Sequence, residues 1–217
     1  MVKNNYIFGL QRTGTNYLSE LLWRNFNSRN LNRQSEAWKH SIEPYEPEII
    51  NPYCLIFCIR KNPYLWVESL CIRNHVDWLY RQTDYPADER DVSEDYLLGE
   101  ERLNIINLAK TYRDWACNWC VNGCDYPVRY IRYEDLLDDL ELDYFLNSLA
   151  KPMGFKRPVD GWRLVMPGEV SQSRNFTERM KEAYELQKPQ YLTRKQIDAI
   201  NDTIGKDLIK SLGYRVR

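Results

Sequence analysis

Seven consecutive residues, Tyr53-Cys54-Leu55-Ile56-Phe57-Cys58-Ile59, carry no charge and no turn former. A run this apolar and this short is no membrane span. It reads as a strand buried on both faces, the environment of a central strand in a parallel sheet covered by helices. Its surroundings fit the same plan. Tyr6-Ile7-Phe8 is a second apolar run, ending at Gly9, and after a small polar loop come Leu18, Leu21, Leu22 and Phe26 at helical spacing. Tyr126 to Arg132 reads as strand again, and a short strand is expected through Ala37 and Trp38. Helices are expected from Trp66 to about Tyr80, from Glu100 to Val121 and from Leu136 to Leu149. A last one is opened by Thr193, with Gln196 placed for a capping box, and closed at Gly213. Strands alternating with helices predict an α/β chain, 1–217 as one domain, with a central parallel sheet flanked by helices in three layers. The polar stretch from Gln82 to Gly99 reads as an insertion, of the kind that contacts substrates.

Charge narrows the partners. Lys plus Arg (30) nearly balances Asp plus Glu (31), so no bulk field draws nucleic acid or an anionic membrane, and an anion site must be local. No stretch approaches the ~20 apolar residues of a membrane span, and the first strand begins almost at Met1, so a cytoplasmic protein is expected. Its six cysteines are then expected to be reduced. Cys54 and Cys58 share a strand face. Cys117, Cys120 and Cys124 have part of a metal-ligand spacing but no fourth partner nearby, and are expected to be buried thiols rather than a zinc site.

The segment Gly9-Leu10-Gln11-Arg12-Thr13-Gly14-Thr15-Asn16 joins the first strand to the first helix, where backbone N–H groups and the helix dipole converge on an anion. Its spacing follows a Walker A loop as far as Gly14. Thr15 and Asn16 then stand where a nucleotide triphosphatase has Lys and Ser or Thr, and the cation is Arg12, inside the loop. Read alone, Gly14-Thr15 could be an ordinary turn and helix cap. Arg12-Thr13-Gly14-Thr15-Asn16-Tyr17-Leu18, however, resembles the 5′-phosphosulfate loop of PAPS-dependent sulfotransferases, written K/R-S-G-T-T-x-L. The resemblance implies a P-loop-like fold in which Gln11, Arg12, Thr13, Gly14, Thr15 and Asn16 hold the donor PAPS and its product PAP.

After the central strand, Lys61-Asn62-Pro63 with Ser69 resembles the family's 3′-phosphate segment, R-N-P-x-D-x-x-x-S, with Lys at the Arg position and Leu65 at the Asp position. It implies a second phosphate anchor made by Lys61 and Ser69, with Arg60 able to share it; otherwise Pro63 merely starts a helix. Tyr130-Ile131-Arg132-Tyr133-Glu134-Asp135-Leu136-Leu137 resembles the xRYEDLL segment of bacterial and carbohydrate sulfotransferases, and Leu212-Gly213-Tyr214 also recurs there. Glu134 and Asp135 are read as helix-capping carboxylates and Arg132 as ion-paired. The R-K-G-x-x-G-x-W loop of animal cytosolic members is absent; Ser173-Arg174-Asn175-Phe176 with Arg179 stands only at its position.

Sulfuryl transfer calls for positioning, for a cation at the leaving oxygen and for a base on the acceptor. Arg12 suits the second role. For the base, His40 in Trp38-Lys39-His40-Ser41 resembles a Lys-His segment of the family; Glu36, Glu43 and Glu46 remain alternatives, and His75 reads as structural or substrate-facing. The scheme needs no metal, and the acceptor would be a small molecule or glycan. A P-loop kinase-like phosphotransferase and a non-catalytic nucleotide-binding protein are the rival readings.

Overall fold

The computed structural model describes residues 4–33, 37–51, 53–71, 101–165, 184 and 186–217. Strand β1 (Asn4–Phe8) leads through the loop into helix α1 (Thr15–Phe26), and strand β2 is only Arg29–Asn30. Strand β3 (Leu55–Arg60) is followed by α2 (Pro63–Cys71), then α3 (Glu101–Ala116), whose end passes into a π-helical turn over Cys117–Val121. Strand β4 (Arg129–Arg132), a 3₁₀ turn (Glu134–Leu137), α4 (Asp139–Met153), α5 (Arg194–Ile204) and α6 (Lys206–Ser211) complete the described chain. The four strands are all parallel, in the order β2-β1-β3-β4, so the two apolar strands pair at the centre: Tyr6 opposite Ile56 and Phe8 opposite Cys58.

Strand alternation sends side chains to two cores. Tyr6, Phe8, Ile56 and Cys58 face a layer with Trp66 of α2, Tyr112 and Trp115 of α3, and Ile200 and Ile209 of α5 and α6. Ile7, Phe57, Ile59 and Ile131 face Leu18 and Leu22 of α1 and Leu142 and Leu146 of α4. The result is helix, sheet, helix, as the alternating pattern requires. Thr193 caps α5 through the foreseen box with Gln196, but Gly205 interrupts the last helix before it ends at Gly213.

One expected strand is elsewhere. Ala37 and Trp38 are not in the sheet; the edge strand is Arg29–Asn30. Side chains make this possible: Asn5 Nδ2 donates to Ser28 Oγ at 2.7 Å, and Ile7 N–H donates to Asn32 Oδ1 at 2.8 Å, where backbone pairing stops. Residues 72–80 of the expected second helix, the 82–99 insertion, His75, Glu36 and the 173–179 segment lie outside the described residues. Among the described residues no helix is long and apolar enough to cross a membrane.

Candidate functional site

The loop after β1 opens at the carboxyl end of a central parallel strand, where open α/β sheets receive ligands. Thr13 N–H donates to Leu10 O at 3.2 Å, closing a β-turn whose third residue is Arg12 at φ 68°. That position favours glycine, and an arginine there carries strain of order 1 kcal/mol, a kind of strain found at binding sites. Gly14 follows at φ 94° as the N-cap of α1. Among the described residues no side chain caps this helix, and its first turn holds no acidic residue, so the positive end of its dipole is not offset from within α1. Gly14 is also needed for space, because a Cβ there would lie 2.3 Å from the Tyr133 ring.

The other loop residues divide. Both donors of Thr13 are engaged, its hydroxyl reaching Leu10 O at 2.6 Å, so Thr13 shapes the turn rather than donating to a phosphate. Thr15 is buried at the start of α1. Asn16 Oδ1 accepts from Lys39 Nζ at 2.6 Å, and Gln11 O accepts from Trp66 Nε1 at 2.7 Å. Gln11 Oε1 is buried without a hydrogen-bond partner among the described residues.

His40 reaches this loop although no strand precedes it. Gly9 N–H donates to Lys39 O at 3.0 Å, and Gly9 O lies 2.7 Å from His40 Nδ1. A carbonyl only accepts, so the proton sits on Nδ1 and Nε2 carries the lone pair, the arrangement a base requires. Burial, aided by the Lys39 charge and opposed by the Gly9 bond, lowers the His40 pKa from 6.5 to about 4. The imidazole is therefore neutral throughout the physiological range. Lys39, which bonds Asn16 and clamps Gly9, is a loop residue that sequence reasoning passed over; its one signal was adjacency to His40.

The second segment is built differently. Lys61 is only 2% exposed, with its ammonium 4.8 Å from the Tyr184 ring centre and 5.8 Å from that of Tyr133. Its backbone carbonyl accepts from Tyr112 at 2.6 Å. The N-terminus of α2 is satisfied internally: Asn62 Oδ1 accepts from Tyr64 N–H at 3.0 Å and Leu65 N–H at 3.4 Å. Glu134 Oε1 in turn accepts Asn62 N–H at 2.8 Å, and Tyr214 O–H donates to its other oxygen at 3.3 Å. Burial raises the Glu134 pKa against the pull of the Asn62 N–H, of its own N–H and of the Lys61 charge. Ser69 donates to Trp66 O within its own helix at 2.8 Å. Arg60 is on the Cys58 face of β3, where its charge acts on Cys58 and Cys120, so it does not share the Lys61 position.

The YEDL and LGY segments thus brace the site. Arg132 pairs with Asp135 at 2.5 Å and donates to Gly213 O, as its expected ion pairing requires, whereas Glu134 holds the Lys61-Asn62 backbone instead of capping a helix. Tyr133 ties the two loops together: it packs on Gly14, feels the Arg12 charge and lies beneath Lys61. Of the alternative bases, Glu43 accepts from Ser41 Oγ and Glu46 from Ile49 N–H, each through its backbone carbonyl. Among the described residues no group of three His, Cys, Asp or Glu side chains is placed to hold a metal ion. Compared with known proteins, the chain matches no protein-family model, and no curated protein gives a significant match.

Proposed function

We propose that this chain has a P-loop-like fold and is a PAPS-dependent sulfotransferase acting on a small-molecule or glycan acceptor. The observation that carries the reading is the convergence of three groups on one loop: the uncapped start of α1, Arg12 in a strained turn position, and the neutral His40 imidazole bonded to Gly9. The donor would supply an electrophilic sulfuryl group on a good leaving phosphate. Arg12 and the first-turn amides of α1 bind and neutralise the phosphate charge, an effect that grows toward the transition state. His40 Nε2 accepts the acceptor proton. A base of pKa about 4 is weak in the free protein, and a bound anion beside the ring strengthens it.

The 5′ end fits the residues present better than the 3′ end does. Lys61 meets a 3′-phosphate only if Tyr184 turns aside. Calorimetric titration with PAP, AMP and ATP, followed by a sulfuryl-transfer assay over an acceptor panel, tests the proposal. Binding of PAP over AMP with transfer supports it. ATP preference with magnesium dependence supports the kinase reading, and binding without transfer supports a nucleotide-binding role.

A further inference from the structure

On the sheet face opposite Lys61, the π-helical turn Cys117–Val121 brings Cys120 onto the central strand. There its thiol lies beside that of Cys58 of β3, which is fully buried, and within reach of the charge of Arg60, two residues further along the same strand face. All six cysteines are free thiols, and Cys120 is half-buried, so it meets solvent while its partner does not. Arg60 Nε is buried without a hydrogen-bond partner among the described residues, a donor suited to a developing sulfur anion. Tyr130 fixes the turn by donating to Trp119 O at 2.7 Å. A π-turn in a helix is a common mark of a functional position, and nothing in the phosphate site uses this one.

We infer that Cys120 is a peroxide-sensitive thiol and that Cys58 resolves its oxidised form as an intramolecular disulfide. The Cys120 thiolate attacks a hydroperoxide, taking one oxygen to become the sulfenic acid and releasing hydroxide, or an alkoxide from an organic peroxide. The Cys58 sulfur then attacks the sulfenic sulfur; its proton and the sulfenic hydroxyl leave as water. Two thiols are oxidised and one peroxide is reduced. The contact with Cys58, and after it the Arg60 charge, favour the Cys120 thiolate against its burial. Cys124, close by, is pushed the other way by burial and so remains a protonated bystander.

The test treats the native chain with hydrogen peroxide, blocks remaining thiols with an alkylating agent and maps linked peptides by mass spectrometry. The expected result is a Cys58–Cys120 bond, with Cys120 of untreated protein alkylating at least about tenfold faster than the similarly half-buried Cys117. In Cys58→Ser, a sulfenic acid should persist on Cys120 and be trapped by dimedone. A Cys120–Cys124 bond, no bond at all, or alkylation of Cys120 no faster than Cys117 overturns the inference. Mapping and alkylation of the unaltered protein decide the matter even if Cys58→Ser does not fold.

Discussion

The loops after β1 and β3 occupy equivalent places, at the carboxyl ends of neighbouring parallel strands, and each carries one cation and leads into a helix. They differ in where their polar groups are satisfied. At α2, Asn62 caps the first turn, Glu134 holds Asn62 and two tyrosine rings cover Lys61. At α1 no side chain among the described residues caps the helix, and Arg12 occupies a backbone position better suited to glycine. A helix end that the protein has already capped stabilises the fold, whereas one left uncapped can spend its dipole on a ligand.

The sharpest way to break this comparison is to remove the two cations. Arg12→Gly should lower turnover by about 10²–10³, the usual effect of losing one transition-state donor. It should also raise unfolding stability by about 1 kcal/mol, because glycine relieves the positive φ. Lys61→Met should do the reverse to the fold, costing about 2–3 kcal/mol, because its charge acts on buried Glu68 and Glu134. Denaturant melts and single-turnover assays of both variants decide. If Arg12→Gly is destabilised and active, the first loop is structural.

The loops should also respond oppositely to pH. His40 has a folded pKa depressed from 6.5 to about 4, so between those values the unfolded chain binds the extra proton and stability falls as pH falls. The difference amounts to roughly 3 kcal/mol across that window. Glu134 has a raised pKa, so the native state holds its proton longer, and its contribution is lost as pH rises above 4.5. Subtracting the stability profile of His40→Gln from that of the wild type should isolate a term rising from pH 4 to 6.5. A flat difference would mean that the ring is solvated.

How much of this could be read from residues alone depends on the range of the interaction. The β3 run, the strand–loop–helix at Gly9 and the Thr193 capping box were legible because each is a local pattern of burial or bonding. The edge strand was not: two residues have no period, and its pairing rests on Asn5, Ser28 and Asn32 side chains. Within the site, Arg12 and Gly14 were visible as loop chemistry. The covering of Lys61 by Tyr184 and the hold of Glu134 on Asn62 join positions more than 70 residues apart, and no spacing rule encodes them. The lowered pKa of His40 was hidden for the same reason, since burial is a property of the packed chain.

A smaller effect separates shape from conformation in the first loop. Gly14 and Gly123 both have positive φ, but a Cβ at Gly14 meets the Tyr133 ring and one at Gly123 meets nothing within 4 Å. Gly123→Ala should cost about 1 kcal/mol, the conformational part alone. Gly14→Ala should cost about 2–3 kcal/mol, since the ring must also move, and it should abolish nucleotide binding. In a Tyr133→Ala background the excess should disappear, which a double-mutant cycle reads directly.

The smallest expected effect tests the second loop's cap. Asn62→Ala removes the side-chain oxygen that accepts from Tyr64 and Leu65 N–H, and losing such a cap costs about 1 kcal/mol. Glu134 bonds the backbone of residue 62, so that brace survives the substitution and the strand end should keep its place. If α2 serves only the fold, affinity for PAP and for AMP should stay within about twofold of wild type, because neither phosphate meets these amides. Ser69→Ala should be equally silent, its hydroxyl being turned to Trp66 O. A change confined to PAP would instead put the 3′-phosphate at this helix end. The two loops would then be a matched pair of anion sites, and Asn62 would be a cap that the nucleotide displaces.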